Sequence, residues 1–293
     1  MISQTLRDIV RCPSHPREGL LLAVTDGLRC QHCGAVYPVV DGILNTVAGR
    51  LASGSSCARE ARQWDSHAPV YDSKRLRDPI YMAAVRAAVA RLGVRSGDRV
   101  LDAGCGTGLT VRQYQRPGVY TVGFDLSLDS LRYLKRQLPP GSPVDLVCGD
   151  LSALPFAPGV FSKVLCANTL QHLPEAALRE RSTRELARVA RPQARIVVTA
   201  HNYSRPKKRA GWPKEGAAGS HSGPVRYIYR FEAAEFEGML ARSMRVRHVA
   251  GAGLPLLYCF KLSPLMHGIE WLFSRSRLST HWGNMLIGVG TRH

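Results

Sequence analysis

At 293 residues the chain can bury one large core with a small unit beside it, and its 45% apolar and 21% charged residues are ordinary for a globular protein. No stretch approaches the roughly 20 apolar residues of a membrane span, and Met1 to Asp8 holds no basic region followed by an apolar one, so no secretory signal is expected and a cytoplasmic location is. The net charge is +18, and residues 204–293 alone carry 14 Lys and Arg against 5 Asp and Glu; this balance suits RNA, an acidic lipid surface or an anionic substrate, or reflects arginine-rich composition.

The first chemistry in chain order is a pair of knuckles, Cys12-Pro-Ser-His15 and Cys30-Gln-His-Cys33. Between them lie an apolar run, Leu20 to Val24, a turn expected at Asp26-Gly27, and Leu28 to Cys30, which together predict a hairpin. That hairpin returns Cys30 and Cys33 beside Cys12, a spacing that suits tetrahedral zinc. Cys12, His15, Cys30 and Cys33 are the expected ligands, with His32 competing with His15 for the fourth position. The alternative is a ribbon that has lost its metal and folds on a small apolar core. Tyr37 to Ile43 reads as a further strand and turn. The module resembles the Trm112-like zinc ribbons that precede or partner methyltransferase domains, although those ribbons usually have cysteine where His15 stands. The expected organisation is a zinc-ribbon-like module over 1–48, a Gly/Ser-rich linker over 49–62 and a catalytic domain over 63–293.

Beyond the linker, helical and strand patterns alternate, as in a mostly parallel sheet with helices on both faces. Helices are expected over Arg77–Leu92, Ser127–Leu138 and Glu175–Ala190. Strands are expected over Arg99–Ala103, Tyr120–Asp125, Asp145–Gly149, Phe161–Ala167 and Arg195–Ala200, with Val246–Ala250 and Met285–Gly290 as a final antiparallel pair. The first strand runs into Asp102-Ala-Gly104-Cys105-Gly106-Thr107-Gly108, a glycine turn whose backbone a ligand can approach closely. Its spacing is not the Gly-x-Gly-x-x-Gly of dinucleotide binding.

This turn resembles motif I of the class I S-adenosylmethionine (SAM)-dependent methyltransferases, whose sheet has seven strands in a Rossmann-like α/β fold. The segment Trp64-Asp65-Ser66-His67-Ala68-Pro69-Val70-Tyr71-Asp72 resembles the WDxxAxxYD segment of many small-molecule methyltransferases, and Asn168 to Glu175 resembles the type 11 group. The resemblance implies a donor site at the carboxyl ends of the strands. Asp102, Gly104, Cys105, Gly106 and Gly108 would receive the methionine part, Asp125 the ribose hydroxyls and Leu126 the adenine face. Asp150 and Leu151 would hold the adenine edge and ring, Asn168 would stand beside the sulfonium, and Tyr71 would help close the site.

His172 is the candidate base, should the acceptor need to lose a proton; a packing role is the alternative. Two segments bear on the acceptor. A basic loop, 204–224, contains Lys207, Lys208, Arg209 and Trp212, and suits either a mobile lid or a grip on RNA. An apolar insert, 253–283, suits a cap over a hydrophobic acceptor, membrane-surface contact, a homodimer interface or plain core. The leading expectation is methyl transfer to a small-molecule acceptor, a bulky apolar or glycosylated metabolite. The alternatives are an RNA base methyltransferase and a methyltransferase-fold binding or partner subunit.

Overall fold

The structure, a computed structural model, describes residues 2–49, 56–218, 226–254, 268–269, 272–276 and 278–293. Much of the expected apolar insert and the end of the basic loop lie outside these residues.

Seven strands form the centre of the sheet: β6 (Arg99–Ala103), β7 (Tyr120–Asp125), β8 (Val144–Cys148), β9 (Phe161–Ala167), β10 (Ala190–His201), β13 (Arg245–Ala252) and β14 (Met285–Thr291). Their order is β8-β7-β6-β9-β10-β14-β13. The first five run parallel, and β14 lies antiparallel to both β10 and β13. Val100, Leu101, Val164, Leu165, Val197 and Val198 are fully buried. Their near-continuous apolar runs follow from helices covering both faces of a parallel sheet. The order reverses between β6 and β9, and a crevice opens there beyond the carboxyl ends of the strands.

Local chemistry sets the helix ends. In α3 (Pro79–Leu92) the Asp78 side chain accepts from the Tyr81 N–H, Pro79 fills the first turn, and Gly93 stops the helix at φ +60°. In α5 (Leu128–Gln137) the Ser127 hydroxyl caps the N–H of Ser130 at 3.0 Å. α6 (Ala176–Val189) buries Leu186 and Val189 beneath β10.

The sheet does not end at seven strands. β1 (Arg11–Cys12), β2 (His15–Val24), β3 (Gly27–Cys30), β4 (Val36–Val40) and β5 (Ile43–Asn45) pair in succession, and β5 pairs in parallel with β8, giving twelve strands. The helix α1 (Gln4–Ile9) buries Leu6 and Ile9 in the same core as Phe124 and Phe156. Arg11 N–H donates to the Pro155 carbonyl, and Ala157 N–H to that of Ile9, each at 2.8 Å. The expected separate module therefore shares a core with the main sheet, because the β8 edge and Phe156 give its apolar face a place to be buried. The hairpin turn falls at Thr25-Asp26, with Val24 opposite Gly27, rather than at Asp26-Gly27. Gly27 is already in β3, where a Cβ would lie 2.2 Å from the Tyr37 carbonyl oxygen.

Two other boundaries differ. The helix α2 (Ser56–Arg75) occupies the second half of the expected linker. The expected basic loop opens with α7 (Arg205–Arg209), then continues as β11 (Glu215–Ala218) paired with β12 (Arg226–Tyr229).

Candidate active site

A cavity of about 370 Å³ lies over the carboxyl ends of β6, β7, β8 and β9. Gly104, Cys105, Gly106, Asp125, Leu126, Asp150, Leu151, Asn168, Tyr71 and His172 all line it. These residues come from five segments far apart in the chain.

The turn after β6 is held open by backbone geometry. Gly106 sits at φ +51°, and a Cβ there would meet nothing within 4 Å; it would project into open space rather than packed protein. The Gly106 N–H donates to Asp125 Oδ2 at 2.8 Å, and Ser127 N–H to Asp125 Oδ1 at 2.9 Å. Burial raises the Asp125 pKa from its ordinary value despite these two bonds, and nearby Asp65 adds to the rise. A diol donating two hydroxyls would suit such a carboxylate. Asp150 Oδ1 accepts from the Ser152 N–H at 2.8 Å. Asn168 sits at φ +58°, an uncommon conformation outside glycine, fixed by Thr199: its N–H donates to the Thr199 hydroxyl and its Oδ1 accepts from that hydroxyl, both at 3.0 Å.

Two expected donor contacts are not among the cavity walls. Asp102 is fully buried beneath the turn, with Oδ2 accepting from the Thr110 hydroxyl at 2.6 Å and the Tyr114 hydroxyl at 3.2 Å. Its Oδ1 is buried without a hydrogen-bond partner, and burial pushes the carboxyl up to about 7. Asp102 braces the turn from below, because alternation along β6 points it at Thr110 and Tyr114. Gly108, at φ +84°, faces α5; a Cβ there would lie 2.2 Å from Leu134 Cδ1. It permits close packing of turn on helix.

The acid residues of the Trp64–Asp72 segment have structural partners that sequence reading did not assign. Asp65 Oδ1 accepts from the Ser127 hydroxyl at 2.6 Å and from the Asp129 N–H at 3.1 Å, at the start of α5. Asp72, 4% exposed, accepts from the Thr107 hydroxyl at 2.5 Å and pairs with Arg112. The two carboxylates fasten α2 across the cavity, so Arg59, Glu60, Gln63 and Trp64 become part of its wall. The signal was in the motif, where both acids flank the aromatic positions.

The opposite wall carries His172, 9% exposed, with its ring 5.1 Å from that of Trp64 in an edge arrangement. His172 Nδ1 lies 3.0 Å from the Tyr227 carbonyl oxygen, which can only accept. The neutral ring therefore carries its proton on Nδ1 and its lone pair on Nε2. Leu173, Pro174, Leu178 and Tyr227 complete an apolar face. Tyr227 arrives on β12, whose approach to the cavity has no local sequence signal. Tyr81, from α3, was also missed; its hydroxyl lies 3.0 Å from that of Tyr71.

At the far end of the sheet, one ligand atom each from Cys12, His15, Cys30 and Cys33 falls within 4.8 Å of all the others. Cys12 Sγ lies 3.8 Å from Cys33 Sγ and 3.6 Å from His15 Nδ1. A zinc tetrahedron with bonds of about 2.3 Å to sulfur and 2.0–2.1 Å to nitrogen has edges of about 3.8 and 3.6 Å. The donor set and spacing fit such an ion, and His15 rather than His32 completes the cluster. Burial alone would raise the Cys12 thiol, but hydrogen bonds from Tyr37 and His15 bring it down to about 6.

Residues 101–198 match the family model of a methyltransferase domain. The demethylmenaquinone methyltransferase of Renibacterium salmoninarum is 32% identical over 147 residues, covering 49% of this chain and 59% of that protein. The chain thus spans little more than half the length of the curated relative it matches. Among solved structures, a chain of the complex between the Haloferax volcanii Trm112 methyltransferase activator and a methyltransferase superposes with a TM-score of 0.56 at 18% identity, over 78% of this chain and 97% of that one. The N-methyltransferase NodS from Bradyrhizobium japonicum, solved with S-adenosyl-L-homocysteine, gives 0.54 at 11%, over 78% and 96%. At these identities the structural likeness establishes the fold.

Proposed function

Because this chain carries a class I SAM-dependent methyltransferase domain, we propose that it transfers a methyl group to a small, largely apolar acceptor bound beside Asn168 and His172. The observation that carries this reading is the cavity itself: a polar half at Gly106, Asp125 and Asp150 continues into an apolar half walled by Trp64, Leu173, Leu178 and Tyr227. The relatives' description as demethylmenaquinone methyltransferases supports a small-molecule acceptor.

S-adenosylmethionine, when bound, supplies an electrophilic methyl group that leaves with its bonding pair remaining on sulfur. The chain's contribution is chiefly placement. The glycine turn admits the methionine part, Asp125 accepts from the ribose hydroxyls, Asp150 and Leu151 hold the adenine, and Tyr71 and Trp64 cover the site from α2. Where the acceptor atom bears a proton, His172 takes it on Nε2, with Nδ1–H fixed on the Tyr227 carbonyl. The Cys12, His15, Cys30 and Cys33 cluster holds zinc in a structural role, far from the cavity along the sheet.

Calorimetry with S-adenosylhomocysteine tests the donor site. Asp125→Ala weakens binding by about 1–3 kcal/mol through lost hydrogen bonds to the ribose. No binding by the unaltered protein at millimolar ligand would falsify the reading. Salt separates a small acceptor from RNA, since RNA binding falls steeply between about 50 and 200 mM salt.

A further inference from the structure

The acceptor half of the cavity backs onto a cluster of basic side chains. The Arg75 guanidinium lies 4.6 Å over the ring of Tyr81, a cavity wall, and 5.5 Å over that of Tyr71. His201 stands next to this group in the fold: its N–H donates to Gln171 Oε1 at 3.0 Å, one residue from His172. The His201 carbonyl accepts from the Phe231 N–H at 2.8 Å, which brings Arg230 alongside. Lys207 is pinned there too, its Nζ donating to the carbonyls of Asn202 at 2.8 Å and Asn284 at 3.0 Å.

The charge of this cluster is poorly compensated. Lys207 and Arg230 have no carboxylate partner among the described residues, and Arg75 has only Asp78, at 3.8 Å. Arg230 is 5% exposed; its Nη1 donates to the Pro213 carbonyl at 2.7 Å, while its Nε is buried without a hydrogen-bond partner. Lys207 spends two of its three N–H donors on carbonyls. Burial, with the cations of Lys207, Arg75 and Arg230, holds His201 well below the ordinary histidine range. Burial and Arg230 bring Lys207 down to about 7. Burying like charges this way is costly unless an opposite charge joins them.

We propose, resting on the small-molecule reading of the same cavity, that the acceptor binds as an oxyanion, a carboxylate or phenolate on an apolar body, with Arg75, Lys207 and Arg230 supplying the compensating charge. The apolar body lies against Trp64, Leu173 and Tyr227, and the charged oxygen points toward β10 and β12. A guanidinium is suited to such an oxygen, because its planar fork presents N–H pairs to it.

The test is calorimetry on the full chain saturated with S-adenosylhomocysteine, using 2-naphthoate and its methyl ester as probes. The acid binds at least about tenfold more tightly than the ester, a difference of about 1.4 kcal/mol. Arg75→Met and Arg230→Met each lower naphthoate affinity about fivefold or more, and leave S-adenosylhomocysteine affinity unchanged, which also reports that each variant is folded. Equal binding of acid and ester, no naphthoate binding in the millimolar range, or unaltered affinity in both variants overturns the proposal. Displacement of naphthoate by a single-stranded oligoribonucleotide overturns it in favour of a polynucleotide. Failure of S-adenosylhomocysteine to bind the unaltered protein overturns the methyltransferase reading, and this proposal with it.

Discussion

Asp102 and Asp125 are both acids at the ends of adjacent strands, and only their surroundings separate them. Asp125 reaches the cavity and accepts two backbone N–H groups; Asp102 faces inward, with one oxygen unpartnered. The raised pKa of Asp102 has a consequence for stability. Its folded value of about 7 exceeds the unfolded value of about 3.9, so the folded chain binds the extra proton between these limits. Stability therefore falls as pH rises from about 4 through 7, by up to about 4 kcal/mol. Asp102→Asn removes that titration. Relative to the unaltered protein, its melting temperature should rise between pH 5 and pH 8; an offset equal at both pH values would mean that Asp102 titrates alike folded and unfolded. The position of Asp102 in the motif was legible, but its direction was not, because its partners Thr110 and Tyr114 flank and end the short helix α4 (Val111–Tyr114) that follows the turn.

The helix α2 shows how one element makes a site from a surface. Its sequence was partly assigned to a linker, because Ser53 to Ser56 is small and polar. Its attachment depends on Asp65 at the start of α5 and on Asp72 at the glycine turn. Asp72→Ala leaves Arg112 and Thr107 without their acceptor, and costs about 1–3 kcal/mol. Urea unfolding measures that loss, and S-adenosylhomocysteine affinity should fall with it as the cover loosens. Donor affinity equal to that of the unaltered protein would show that the cover is held by other contacts. The hairpin of β11 and β12 plays the same part on the other wall. The basic residues ahead of it, Lys207 to Lys214, were readable as a group, while the delivery of Tyr227 to His172 required β12 to be seen beside the cavity.

Across the whole molecule, the N-terminal strands extend the sheet, and the metal-ligand cluster lies at that extended edge. Elemental analysis should find about one zinc per chain, absent from Cys30→Ser. Because Leu6, Ile9 and Cys12 share a core with Phe124 and Phe156, the variant should melt at lower temperature in one transition rather than shed a separate module. A metal-free protein of undiminished melting temperature would remove zinc from the account.

Local rules carried the seven central strands, the glycine turn and the Cys/His pattern, because strand burial, turn geometry and ligand spacing are short-range and written in adjacent residues. His15 over His32, the burial of Asp102, the fastening of α2 and the joining of β5 to β8 were decided only by tertiary structure. Each depends on which surfaces meet between segments apart in the chain or on which side of a strand has room. The charge of +18 was visible from composition, but its uneven pairing at Arg75, Lys207 and Arg230 emerges only where the end of α2 meets β10, α7 and β12. Electrostatic energy depends on distance and burial, and a sequence states neither.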